Sequence, residues 1–243
     1  MLFYYPFFDL TLLILLPALL FSLIAQYRVK RAFEWGSRVK TARGITGAQT
    51  ARKILDEYGL YHISVERVRG QLTDHYDPKE GAIYLSEGVY DSTSAAAVGV
   101  AAHEAGHAVQ YAQDYFPIRV RTAIIPLTRF GAGLAMPLFL IGLFISYFYI
   151  QAANPLSDFL MVGGIVLYSF STLFQLVTLP VEFNASHRAL KIIDGWGTLT
   201  KEEHRVAGQV LSAAAMTYVA ALATSLLSLL RLILIFSGRR GRR

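Results

Sequence analysis

Residues 94–114 read Ser-Ala-Ala-Ala-Val-Gly-Val-Ala-Ala-His-Glu-Ala-Gly-His-Ala-Val-Gln-Tyr-Ala-Gln-Asp, and the way this stretch folds decides what the chain can be. It has no Pro and consists mainly of strong helix formers, so its composition predicts a helix. On a helix, the spacing of four places His103 and His107 on one face, one turn apart, where both imidazoles can share an ion. Glu104 projects from the adjacent position. A carboxylate there can take a proton from water beside the metal and deliver it to a leaving amine. The same stripe carries Gly99, Gly106 and Gln110, small or polar residues expected to leave room for a metal and a substrate. Because Ala95 to Ala102 is nearly continuous Ala, Val and Gly, the helix is expected to be buried, where Glu104 and two histidines are costly without a metal or partners.

The rest of the chain supplies the setting. Of its 243 residues, 54% are hydrophobic and 16% charged, with a mean hydropathy of +0.41; this is a membrane composition. Four apolar runs, at about Phe7–Ala25, Ile124–Ile150, Asp158–Leu179 and Val206–Phe236, are each near or above the ~20 residues a spanning helix needs. The expected class is a mainly α membrane protein with about four transmembrane helices and a small α+β portion. Its expected organisation is an N-terminal anchor at 1–25, a polar α+β portion at 26–123, and two transmembrane helices at 124–179. A further helix with the third metal ligand occupies 180–205, and an apolar helix with a basic tail occupies 206–243. The uncharged aromatic start, Phe3, Tyr4 and Tyr5, suits a membrane interface and a retained anchor, not a cleaved signal. In the polar portion a helix is expected over Thr46–Tyr58 and strands over His62–Val68 and Ala82–Leu85, with Asp74–Gly81 a turn marked by its Pro and Gly. Pro180 suits a first helical position, and Gly195 and Gly197 suit the stop of that helix.

Charge and cysteine content narrow the chemistry. The net charge of +6 comes largely from Arg28, Lys30, Arg31, Arg38, Lys40 and Arg43 after the first apolar run, and from Arg239, Arg240, Arg242 and Arg243 after the last. These are juxtamembrane anchors, and no nucleic-acid partner is implied. The positive cluster after the first run places the polar portion in the cytoplasm and the N-terminus outside. The short connection Gln151–Pro155 lacks Lys and Arg, as an outer loop should. Four full spans would then leave the arginine-rich tail outside, so either the last run, with Arg231 within it, is re-entrant or interfacial, or the tail is an exception. With no cysteine in the chain, a metal must use His and carboxylates.

A catalytic zinc site needs a third protein ligand and an open fourth position. Glu182, His187, Asp194 and Glu203 are available. Glu203 has a structural explanation, since Thr200-Lys201-Glu202-Glu203 has the spacing of a capping box. Glu182 stands within one turn of the end of the third apolar run, where an ionisable residue is expensive, and is the preferred third ligand. His62, His75 and His204 have no partner pattern.

Four segments carry a resemblance to a known family. They are His103-Glu104-Ala105-Gly106-His107-Ala108-Val109-Gln110, Leu179-Pro180-Val181-Glu182-Phe183-Asn184-Ala185-Ser186, Asp74-His75-Tyr76-Asp77-Pro78, and Ala213-Ala214-Ala215-Met216-Thr217-Tyr218-Val219-Ala220-Ala221. Together they resemble the bacterial YugP-type neutral zinc metallopeptidases, more distantly the HtpX-type membrane proteases. The resemblance implies a zincin-like metallopeptidase portion and a gluzincin arrangement: zinc on His103, His107 and Glu182, with Glu104 as general base. In HtpX-like proteins the position four after the glutamate is usually an Asp that orients a ligand His; here it is Ser186, whose hydroxyl is expected to orient more weakly. Tyr218, His187 and Arg188 are candidate oxyanion donors. The expected substrate is a protein or peptide, including membrane proteins, and the expected place is the bilayer of a bacterial inner membrane with the site on its cytoplasmic side. Three alternatives remain: a non-catalytic protein braced by structural zinc, a metal transporter, and a site-2-type protease using Asp194, whose Asp194-Gly195 pair resembles the ligand motif of that class.

Overall fold

The computed structural model describes residues 10–148 and 155–240. The aromatic start, the beginning of the first apolar run, most of the Gln151–Pro155 connection, and Arg242 and Arg243 lie outside the described residues. A 3-10 turn, Leu10–Leu15, leads into α1 (Leu16–Gly36), followed by α2 (Gly47–Glu57), β1 (Ser64–Val68), β2 (His75–Asp77) and β3 (Ala82–Ser86). Then come α3 (Glu87–Tyr90), α4 (Ala95–Ala112), α5 (Phe116–Phe148), α6 (Pro155–Gly195) and α7 (Lys201–Arg240). Four helices, Thr11–Gly36, Phe116–Phe148, Pro155–Gly195 and Lys201–Arg239, are long and apolar enough to cross a membrane. The protein is therefore a mainly α membrane protein with a small α+β part.

Its residues divide between two compact units. One comprises Met1–Leu23, Val120–Thr178 and Val219–Arg243, as far as these are described. Among its described residues it is helical throughout, with Phe139, Met161 and Leu232 buried together, while Leu19, Phe130, Phe144 and Phe159 point outward. Large apolar side chains on the outside are what a hydrocarbon solvent selects. Gly164 marks a close helix approach, because a Cβ there would sit 2.7 Å from the carbonyl oxygen of Ala135. Asp158, in the first turn of α6, forms an ion pair with Arg239 near the end of α7 (2.9 Å), and Arg231 Nε donates to Thr11 Oγ1 (3.2 Å). The last apolar run is thus one unbroken helix and not a re-entrant segment.

The other unit, Ile24–Arg119 with Leu179–Tyr218, holds the sheet. Its strand order is β1-β3-β2, with β1 parallel to β3 (Ser64↔Ala82) and β2 antiparallel to it (His75↔Tyr84). Ile54 and Leu55 of α2, Ile83 and Leu85 of β3, Val98, Ala101 and Ala105 of α4, and Ile193 of α6 form one buried core. Each large aliphatic side chain contributes about 1.5–3 kcal/mol by leaving water. Local signals set the helix starts. Thr46 and Gln49 form both bonds of a capping box on α2, and Ser94 Oγ accepts from the Ala97 N–H at the start of α4 (3.2 Å).

Two elements differ from the sequence reading. His75–Asp77 is a strand, not part of a turn; the turn begins only at Asp77, whose carboxylate accepts from the Lys79 N–H (2.7 Å). Pro180 does not start a helix but lies inside α6. A proline there removes one backbone hydrogen bond and crowds the preceding turn, which neighbouring helices make tolerable in a membrane protein. The stop is as expected: α6 ends at Gly195, and Gly197 follows with φ +54°.

Candidate metal centre

Every residue of the site comes from the sheet-bearing unit. Helix α4 presents His103, Glu104 and His107, and the last third of α6 crosses it at Ala185. The crossing is close because Gly106 has no side chain: a Cβ there would lie 2.9 Å from the Ala185 carbonyl oxygen. Gly99 does the same against Ala207, at 3.1 Å from its Cβ. The two glycines therefore leave room for neighbouring helices and not for substrate, which corrects the expectation from the sequence.

At the crossing His103, His107 and Glu182 converge, with one potential ligand atom from each lying within 4.8 Å of the others. Glu182 Oε2 is 3.3 Å from His103 Nε2 and 3.5 Å from His107 Nε2. Glu182 is buried, and so are His107 and Glu104. These distances fit a small tetrahedral ion: bonds of about 2.0–2.1 Å put neighbouring ligand atoms about 3.3–3.4 Å apart. The donor set also fits, since two imidazole nitrogens and a carboxylate oxygen are zinc ligands of the open, three-residue kind. The three could hold zinc.

The outer nitrogens of both imidazoles are engaged. Gln110, fully buried, donates through its amide nitrogen to the Val181 carbonyl (2.8 Å) and to Asn184 Oδ1 (2.9 Å). That fixes which end of the amide faces His107, so Gln110 Oε1 accepts from His107 Nδ1 (3.0 Å). Nε2 of His107 is thereby turned toward Glu182, the orientation a metal ligand requires. His103 Nδ1 lies 3.1 Å from Ser186 Oγ, a hydroxyl that can donate or accept and so orients without dictating the tautomer. Burial works against a charged His107, but the hydrogen bond and charge of Glu182, helped by Glu104 and Gln110, outweigh it and raise its proton affinity.

A cavity of about 220 Å³ opens beside two of the ligand candidates, His103 and Glu182, and is lined also by Glu104, Ser186, Asp74 and Tyr218 among others. Of the candidate oxyanion donors, Tyr218 is on its wall; His187 is exposed and not part of it. Arg188 is occupied elsewhere, donating to Asn184 Oδ1 (2.7 Å) and to Gln113 Oε1. Asp194 is exposed in the turn that ends α6, outside the ligand group. Glu203 closes the capping box of α7, accepting from Thr200 N (2.9 Å), and also accepts from Ala42 N (3.0 Å). His75 pairs with the Thr73 carbonyl and His204 with that of Leu190.

Two participants have contacts that their local sequence does not reveal. Gln110 reads only as a polar residue on the right stripe, and its partners lie 71 and 74 positions away. Asp74 reads as a turn former, yet it lines the cavity and accepts from both the backbone N–H (2.7 Å) and hydroxyl (3.0 Å) of Ser86. Burial pushes its carboxyl above the ordinary range, more than these two bonds lower it.

Comparison with known proteins agrees with this geometry. Residues 11–237 match the model of a family described as "Putative neutral zinc metallopeptidase". The "Putative membrane protease YugP" of Bacillus subtilis (strain 168) is 46% identical over 226 residues, covering 93% of this chain and 96% of that protein. No solved structure matches at a significant level. With nearly its whole length matched, and a His-His-Glu group able to bind the metal, the chain belongs to the neutral zinc metallopeptidase family.

Proposed function

We propose that this protein is a membrane-embedded endopeptidase of gluzincin type, in which His103, His107 and Glu182 hold zinc and Glu104 is the general base. The observation that carries the reading is the convergence of His103 and His107 on Glu182, with Glu104 lining the adjoining cavity. A site that only braced the fold would have no use for a carboxylate beside its ligands and an open cavity against them.

Zinc, when bound there, supplies Lewis acidity, which makes water a nucleophile near neutral pH and polarises the scissile carbonyl. Glu104 takes the proton of the attacking water on its carboxylate and passes it to the nitrogen of the leaving amine. Tyr218 is the favoured donor to the carbonyl oxygen as negative charge develops on it, because of the three candidates it alone lines the cavity that Glu104 also lines. Gln110 and Ser186 hold the outer nitrogens of the two histidines. Buried Glu182 and the apolar helix surroundings limit water around the ligands.

The reading places the site at the membrane surface. Helix α6 has 41 residues and extends about 60 Å at ~1.5 Å per residue, twice the ~30 Å hydrocarbon core. Glu182 lies about 40 Å along it from Pro155, beyond one core thickness. The cluster Arg28, Lys30, Arg31, Arg38, Lys40 and Arg43 supports a cytoplasmic position for the sheet-bearing unit, at a bacterial inner membrane in this reading. Substrates are then peptide segments at that surface, membrane proteins among them. The test is cleavage of casein and of a detergent-solubilised membrane protein by the purified full chain, with loss on chelation and recovery on adding zinc. No cleavage of either by zinc-loaded protein sinks the enzymatic reading.

A further inference from the structure

We infer that Arg188 is a positioning residue for the metal centre: through Asn184 and Gln110 it dictates which nitrogen of His107 carries the proton, and so leaves the other free for the metal. The inference rests on the proposed role of His107 as a zinc ligand and goes beyond it, since it gives a task to two residues outside the ligand group.

An arginine side chain has donors only and stays charged. Arg188 Nε donates to Asn184 Oδ1 (2.7 Å), one turn away on α6, so the Asn184 amide must present its oxygen on that side. The same oxygen accepts from Gln110 Nε2 of α4 (2.9 Å), which occupies its second lone pair. Gln110 must then turn its own oxygen the other way, toward His107 Nδ1 (3.0 Å). An amide oxygen can only accept, so Nδ1 carries the hydrogen and the lone pair of Nε2 faces Glu182. Each link has one permitted direction, set at the outer end by a cation. The Val181 carbonyl, which also accepts from Gln110 Nε2 (2.8 Å), favours the same direction, so loss of Arg188 weakens the preference without abolishing it.

Arg188 is itself held in place. It donates to Gln113 Oε1, and its guanidinium lies 5.7 Å from the centre of the Tyr115 ring, within reach of a cation–π contact. Both partners belong to the turn between α4 and α5, so the guanidinium is fixed between α6 and the end of the helix that carries His107. A neutral donor would do less. Bonds with a charged donor are roughly twice as strong as neutral ones, and an amide in place of Arg188 could rotate and present an acceptor instead. His103 supplies the contrast: its Nδ1 meets Ser186 Oγ (3.1 Å), a hydroxyl that donates or accepts, so no proton position is imposed on that ring.

The test follows the ring nitrogens of His107 and the affinity for zinc, both in the full chain in detergent. Isotope-labelled histidine shows by NMR which nitrogen is protonated in the metal-free protein in mildly alkaline buffer, the His107 signals being identified by their loss in His107→Gln. Zinc affinity is measured against a competing chelator. Wild type should be protonated at Nδ1 of His107. Arg188→Met, which keeps the length and removes the donors, should show a mixture of both protonation patterns at His107 and leave His103 as in wild type. It should also bind zinc about 10-fold more weakly, the lower end of the range for a lost partner behind a ligating histidine. Arg188→Lys keeps a charged donor and Asn184→Asp keeps an acceptor, so each should recover most of the affinity. Should Arg188→Met fail to fold, Asn184→Ala breaks the same link while leaving Arg188 on Gln113 and Tyr115, with the same mixture expected. Wild-type protonation of His107 in the folded variants would overturn the inference even if their melting temperatures fall, because stability loss alone is what a merely structural arginine gives. A wild type that binds no zinc would instead remove the proposed ligand set and the inference with it.

Discussion

Gln110 accepts a hydrogen bond from His107 at 3.0 Å with an amide whose other end is already committed to the backbone of α6. The residue thus ties the orientation of one ligand candidate on α4 to the position of the helix that carries the other. Gln110→Ala should weaken zinc binding by about 10- to 100-fold, the usual cost of losing a partner behind a metal-ligating histidine. Gln110→Glu should be milder for the metal, since a carboxylate still accepts from Nδ1, but it abandons the bond to Val181 and should lower thermal stability. Zinc titration with a competing chelator, alongside a thermal melt, checks both. Unchanged affinity in Gln110→Ala would show that His107 needs no such support.

Gly106 should be intolerant of a methyl group. A Cβ at 2.9 Å from the Ala185 carbonyl has to push α4 and α6 apart, and overpacking of this kind costs about 1–3 kcal/mol. The same displacement separates Glu182 from the histidines, so Gly106→Ala should lose zinc affinity as well as stability. Gly163, where a Cβ meets nothing within 4 Å, is the control: Gly163→Ala should do neither.

How much of this was legible beforehand depends on how local each signal is. Four apolar runs, the capping box at Thr200 and the His-Glu-x-x-His pattern are readable because composition and spacing within one segment decide them. The strand His75–Asp77 is not, because its three residues sit between turn formers and become a strand only by pairing with β3. Pro180 reads as a helix start on local grounds and is overridden by the packing of a long membrane helix. Gly99 and Gly106 show the limit most clearly: a missing Cβ is compatible with an empty site or a close neighbour, and only the tertiary contact distinguishes them. Glu182 was singled out from its costly position near the end of an apolar run, whereas the bonds of Gln110 to Val181 and Asn184 leave no trace in the sequence.

The proposed third ligand, Glu182, separates from the other carboxylates by location. Glu182→Gln should reduce zinc affinity sharply, because the amide keeps the shape and loses the anionic oxygen. Asp194→Asn should leave zinc bound. Glu203→Ala should leave the metal alone yet cost about 1–2 kcal/mol, from the lost cap of α7 and the unpaired Ala42 N–H. Zinc retained by Glu182→Gln and lost by Asp194→Asn would return the site-2-type arrangement.

Zinc should stabilise the protein more at pH 7.5 than at pH 5.5. Without metal, Glu182 raises the proton affinity of His107, so the proton sits where the metal would bind. For a group whose folded pKa is raised, that stabilisation is complete below the unfolded pKa, about 6.5 for histidine, and disappears as pH rises through the folded value. Zinc competes with this proton, so its own contribution grows as the proton leaves. The difference in melting temperature with and without zinc, followed across pH, should widen toward neutrality. A constant or narrowing difference would contradict the ligand assignment of His107.

The most direct measurement is bound zinc per protein together with casein cleavage, for wild type and Glu104→Gln purified in the same detergent. In the proposed mechanism each imidazole gives a coordinate bond whereas Glu104 moves a proton, so His103→Ala and His107→Ala should lose zinc and cleavage together. Glu104→Gln should bind zinc like wild type and cut about 10²- to 10⁴-fold more slowly. Equal zinc with equal cleavage in wild type and Glu104→Gln would contradict the account.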